Sequence, residues 1–171
     1  MCYDFNTSIS TWIIAQIIAI FLYYRDKGYD RWVSIFIATF SVIQLLEAGI
    51  LKSIEWNNEL MNDIITRIIL VAIWSQPCVQ SYYGWKNSKS PLLFILTLLC
   101  FVALIYATFR SLTSKQMYSI CGKNKHLSWN DKSMPGYFVS KNKLLGLLYF
   151  SGIFLPLLVM KPNLRKYALL G

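Results

Sequence analysis

The chain has 171 residues, of which 56% are hydrophobic and only 15% charged, and its mean hydropathy is +0.44. Soluble domains run near a quarter charged, so the deficit argues against a water-solvated domain and names lipid as the main solvent. The net charge of +9 does not point to nucleic acid: the basic residues lie between apolar runs, where they can meet anionic headgroups or set topology, and no recognition helix, zinc finger or RNA-binding signature accompanies them.

In chain order, residues 7–24, 92–109 and 144–160 hold no Asp, Glu, Lys or Arg, whereas 32–51 holds only Glu47 and 64–83 only Arg67. At 1.5 Å rise per residue each run is about long enough to cross a hydrocarbon core of ~30 Å. Runs such as LLFILTLLCFVALIYATF do not alternate as barrel strands would. The expectation is an all-α, polytopic transmembrane bundle of about five spans, forming one domain over 1–171. Nothing at the N-terminus reads as a basic region followed by a cleavage site, so the first span is expected to act as a signal anchor. Cys2 has no lipobox before it.

The connections predicted between the spans are residues 25–31, with Gly28 as a turn residue; 52–63; 85–91, with Pro91 opening the next helix; and a long, basic loop 110–143. Loops of that length are often functional or disordered. Tyr3, Tyr23, Tyr24, Trp32, Trp56, Tyr82, Tyr83 and Trp85 fall near span ends, as an interfacial aromatic belt requires. Five spans put the N-terminus, 52–63 and 110–143 on one face, called here the N-face. Arg25, Lys27, Arg31, Lys86, Lys89, Lys161, Arg165 and Lys166 lie on the other. The positive-inside rule then favours an extracytoplasmic N-terminus and a cytoplasmic C-terminus, against the pull of the basic loop.

Several polar groups fall at membrane depth. Glu47 and Arg67 both sit about one turn inside the N-face, so they could pair and offset part of the ~2.5 kcal/mol or more that each charge costs in lipid. Gln44 shares a helix face with Glu47, and Ser41 extends that stripe. Gln16 is deeper on the first span. Gln76 precedes Pro77, which removes a backbone donor and frees a carbonyl one turn earlier, so Ser75, Gln76 and Pro77 could mark a cavity. Gln16, Gln44, Glu47, Arg67, Gln76 and Pro77 are thus the candidate pocket or pathway residues. The alternative is structural: an ion pair, and interhelical hydrogen bonds of the kind Gln and Ser supply routinely.

Cys78 and Cys100 lie within spans and read as small hydrophobes. Cys2, Cys121 and His126 share the N-face. They could be a Cys2–Cys121 disulfide, three ligands of a metal site with an open position, or a lipidated or free thiol. None of the usual hydrolase, redox or nucleotide motifs is present, so an enzyme is the weaker reading and no cofactor is implied.

Met1-Cys2 with Ser8 or Ser10, QLLE at 44–47, Gln76-Pro77, and Cys121 followed by His126-Leu127-Ser128-Trp129 resemble an uncharacterised family of small polytopic membrane proteins found in giant DNA viruses, algae and some bacteria. The resemblance spans most of the chain and departs at Tyr3-Asp4, where an aromatic residue and Ser commonly follow the Cys. It implies one recurring site made of these residues and supplies no activity.

Three functions are compatible with this reading. The first is a channel or transporter for an ion or small solute, built round Glu47 and requiring an oligomer, since five spans leave little room for a private pore. The second is a structural or interaction protein, for example a viral membrane component whose basic loop binds capsid proteins or lipid. The third is a thiol- or metal-dependent membrane enzyme.

Overall fold

The computed structural model describes residues 4–121, 127–129 and 143–159. Among these residues five helices form: α1 (Phe5–Arg25), α2 (Asp30–Glu55), α3 (Glu59–Ser88), α4 (Pro91–Thr113) and α5 (Lys143–Leu158). The first four are long and apolar enough to cross a membrane. α5 is shorter, with 16 residues, about 24 Å of helix. The chain is an all-α polytopic membrane bundle.

The helices outrun the apolar runs that announced them. α3 has 30 residues, roughly 45 Å, enough for the whole bilayer with its headgroup layers. The connection expected over 52–63 shrinks to a tight turn at 56–58, and α4 continues to Thr113. Capping explains the gain. Asn58 Oδ1 accepts the Met61 amide at 2.9 Å and so starts α3 before its apolar stretch begins. Asp4 does the same for α1, accepting the Thr7 amide at 2.8 Å and the Thr7 hydroxyl at 2.7 Å. These donors hold the Asp4 carboxyl below its ordinary value of 3.8.

The turn between α1 and α2 is fixed by charge. Asp26 ends α1 in the left-handed region, with φ 50°. Asp30 then takes both arms of Arg25, at 2.7 and 2.8 Å, and the Lys27 amide at 2.9 Å. At the other end of the hairpin Lys52 pairs with Glu55 at 2.7 Å and lies over the rings of Phe5 and Trp56. A charged head with its stem on aromatic rings is suited to a membrane surface.

α3 is the central element and packs against α2, α4 and α5. Its contact with α5 is built from two glycine–proline pairs. A Cβ on Gly152 would come within 2.6 Å of Pro77 Cβ, and one on Gly84 within 2.6 Å of Pro156 Cβ. Pro77 precedes Gly84 just as Gly152 precedes Pro156, so α3 and α5 run parallel. That is the relation required of the third and fifth spans. Cys100 and Cys78 pack beside this seam as free, buried thiols. α1 packs chiefly on α2, and the rest of its surface, Ile14, Ile17 and Phe21 included, is exposed, to lipid in this reading.

The basic segment after α4 opens with structure that periodicity does not announce. Ser119–Cys121 (β1) pairs antiparallel with Leu127–Trp129 (β2), Cys121 opposite Leu127. The HLSW run at 126–129 therefore contributes three residues to a strand.

Candidate polar site at membrane depth

α1 and α2 are joined at mid-membrane by Gln16. Its Nε2 donates to Ser41 Oγ at 2.8 Å and to the Ala38 carbonyl at 3.5 Å. Nearer the far end of the hairpin the Ser34 hydroxyl donates to the Ala19 carbonyl at 2.7 Å. α2 and α3 are joined by Trp32 Nε1, which donates to Gln80 Oε1 at 2.7 Å with both side chains buried. α3 and α5 are joined by the Tyr149 hydroxyl, which donates to Gln76 Oε1 at 2.7 Å. These three helix contacts thus hold polar groups whose needs are met by a neighbour, as lipid demands.

Arg67 does not face Glu47. Its Nε meets Asp63 Oδ2 at 2.7 Å and its Nη2 meets Asp63 Oδ1 at 3.0 Å. It also donates to the carbonyl of Ser114 at 2.9 Å and to that of Ser111. Asp63 Oδ1 accepts the Met117 amide as well, at 2.6 Å. One residue before Asp63, the Asn62 carboxamide exchanges hydrogen bonds with the Ser119 backbone at 2.8 and 3.1 Å. Asp63 and Asn62 were not singled out in the sequence because they stood in a predicted loop. The available signal was D-x-x-x-R, an acid four residues before a base, which shares a helix face. An arginine fork that finds a carboxylate on its own helix pays no loop-closure cost to reach one on α2.

Glu47 is left without that partner. Gly49 lies against Ile65 and Trp32 bonds Gln80, a register that places Glu47 level with the α3 turn 65–67. The expected similarity of depth therefore holds, and the expected pair does not form. Glu47 Oε2 is buried and has no hydrogen-bond partner among the described residues. Two more such atoms, Ser8 Oγ and Trp12 Nε1, lie on α1. Lys52 over Phe5 and Gln16 on Ser41 fix the α1–α2 register, and by that register Ser8 and Trp12 bracket the depth of Glu47.

A lipid-level cleft of about 520 Å³ lies between α1, α2 and α3, lined by Trp12, Gln16, Thr39, Ser75 and apolar neighbours including Val42. Glu47 is not part of its wall, since it stands about 140° round α2 from Val42. Gln76 and Pro77 are not part of it either. Both are buried, and Gly152 fills the space beside Pro77. The six candidate pocket residues are thus distributed. Gln16 lines the cleft, Gln44 and Glu47 are half-buried on α2, Arg67 belongs to the α3–α4 latch, and Gln76 with Pro77 forms the α5 seam. Cys2 and His126 lie outside the described residues, and Cys121 enters only through its backbone. Among the described residues, no group of three or more His, Cys, Asp or Glu could hold a metal.

Comparisons with family models, with curated proteins and with solved structures each return no match.

Proposed function

We propose that the chain is a small ion or solute pathway protein in which Glu47 is the group that attracts the permeant species. The observation that supports this is the contrast between two carboxylates at the same end of the bundle. Asp63 is neutralised by Arg67. Glu47, deeper in the apolar part of α2, has a buried oxygen with no partner. An ionisable group at membrane depth without an ion pair among the described residues marks a pathway more often than decoration. α2 is held between α1 and α3, so a second copy is needed to close a path past Glu47. The test is aqueous access. In a cysteine-free background, Glu47→Cys in proteoliposomes reacts with a charged, membrane-impermeant thiol reagent if Glu47 meets water. No modification from either side sinks the reading.

A second reading is favoured by the Asp63–Arg67 latch, which fixes the start of the basic segment to α3 and so presents it for binding. In this reading the protein is a structural or interaction component of a membrane. Neutralising Lys115, Lys123, Lys125, Lys132, Lys141 and Lys143 would then abolish association with anionic bilayers or partner proteins, and Glu47→Gln would not.

A further inference from the structure

At the N-face end of α2 and α3 a pocket of about 240 Å³ opens between the α2–α3 turn and β1. It is smaller than a drug-sized site of ~300–1,000 Å³. Its polar wall is Ser53, Asn57, Asn58, Glu59, Asn62 and Tyr118. Half of these groups are committed: the Ser53 hydroxyl donates to the Ile50 carbonyl, Asn58 caps α3, and Asn62 holds Ser119. Thr66, one turn below, bonds Asn62 and Ser119. The uncommitted groups are the Asn57 side chain, the Tyr118 ring and the Glu59 carboxylate, which has no ion pair among the described residues.

Among the described residues no Lys or Arg lines the pocket, although the protein carries +9 overall. A phosphate or carboxylate would meet Glu59 with no cation to hold it. An ammonium group finds a counter-charge in Glu59, a π face in Tyr118 and an amide oxygen in Asn57. The α3 N-terminus favours an anion, but its Met61 amide is taken by Asn58 and Glu59 already places a carboxylate in its first turn. We infer that this pocket is a binding site for a small ammonium compound, either a free amine solute or the amine headgroup of a lipid lying at the same interface. The inference is independent of conduction past Glu47, since no group of the pocket is Glu47 or its neighbour.

The experiment is equilibrium binding of choline and of ethanolamine to the purified full chain in detergent, with glycerol as neutral probe and acetate as anionic probe. Saturable millimolar binding of the two amines, with neither glycerol nor acetate bound, is expected. Glu59→Gln should weaken it about fivefold or more and Tyr118→Leu about threefold. Glu55→Gln, whose carboxylate pairs with Lys52 outside the pocket, should change it less than twofold. Asn57→Asp, adding a carboxylate, should tighten it, which guards against reading a folding defect as lost binding. Extraction with selective retention of phosphatidylethanolamine over phosphatidylglycerol would assign the amine to lipid, and saturation by free amine without such retention would assign it to a solute. Absence of saturable amine binding, equal binding of glycerol, or affinity unchanged in Glu59→Gln would overturn the inference.

Discussion

Asp63 and Arg67, four residues apart on α3, form a two-pronged ion pair whose side chains are only 20% and 19% exposed. The same pair reaches the carbonyls at the end of α4 and the amide of Met117. It therefore acts as a clasp that ends α4 and aims the chain toward β1. The arginine supplies donors to carbonyls that the last helical turn leaves without intrahelical partners, and the aspartate keeps that arginine affordable near lipid.

Removing the carboxylate strands the guanidinium. Asp63→Ala is expected to lower stability by roughly 2–4 kcal/mol, seen as a lower unfolding midpoint in detergent. The double variant Asp63→Ala/Arg67→Ala should lose less than the sum of the single losses, because the stranded charge is gone. Additive losses would show that the two side chains act separately.

The glycine–proline seam should resist even a methyl group. Gly152→Ala places a Cβ against Pro77, a ring that cannot turn aside, and Gly84→Ala does so against Pro156. Each should destabilise by about 1–3 kcal/mol. Pro156→Gly, which removes the Cβ that the new methyl would meet, should recover part of the loss in Gly84→Ala and none of it in Gly152→Ala, a pattern readable from thermal unfolding of the wild type, the three single variants and the two double variants.

Trp32 and Gln80 should be energetically coupled. Gln80→Leu leaves the indole N–H buried without an acceptor, and Trp32→Phe leaves the amide oxygen without its donor. A double-mutant cycle should return a coupling of about 0.5–2 kcal/mol, the range for polar contacts between membrane helices. A coupling near zero would mean that another group satisfies the indole.

Acid should fray α1 at its start. The Asp4 carboxyl is held below 3.8 by the Thr7 amide and hydroxyl, so its folded value lies under its unfolded one. The cap is then fully present above the ordinary value and is lost as pH falls through the lowered one. Hydrogen exchange at Thr7, corrected for intrinsic rate, should be constant from neutral pH to about 5 and accelerate only below the ordinary carboxylate range. Asp4→Ala should remove that pH dependence.

The order of the apolar helices among the described residues was legible because charge-free runs of span length have few other readings. The unexpected length of α2, α3 and α4 was not, since it rests on caps and on residues such as Asp63 whose polarity reads as loop until a partner is known. Depth was legible too, placing Glu47 and Arg67 level with each other, but partnership was not. It turns on which way each side chain leaves its helix, and the arginine chose an acid on its own helix. Pro77 could be recognised as a break. That Gly152 fills the space beside it depends on a segment 75 residues later, which no local pattern encodes.

Glu47 carries the central claim, and cation flux into proteoliposomes tests it most directly. Wild type, Glu47→Gln and Glu47→Asp are to be compared across a pH range at a fixed gradient. The account predicts a wild-type flux that falls at least tenfold in Glu47→Gln and loses its pH dependence, with Glu47→Asp retaining both in part. Equal flux in wild type and Glu47→Gln, or no flux from folded wild-type protein under any gradient, would contradict it.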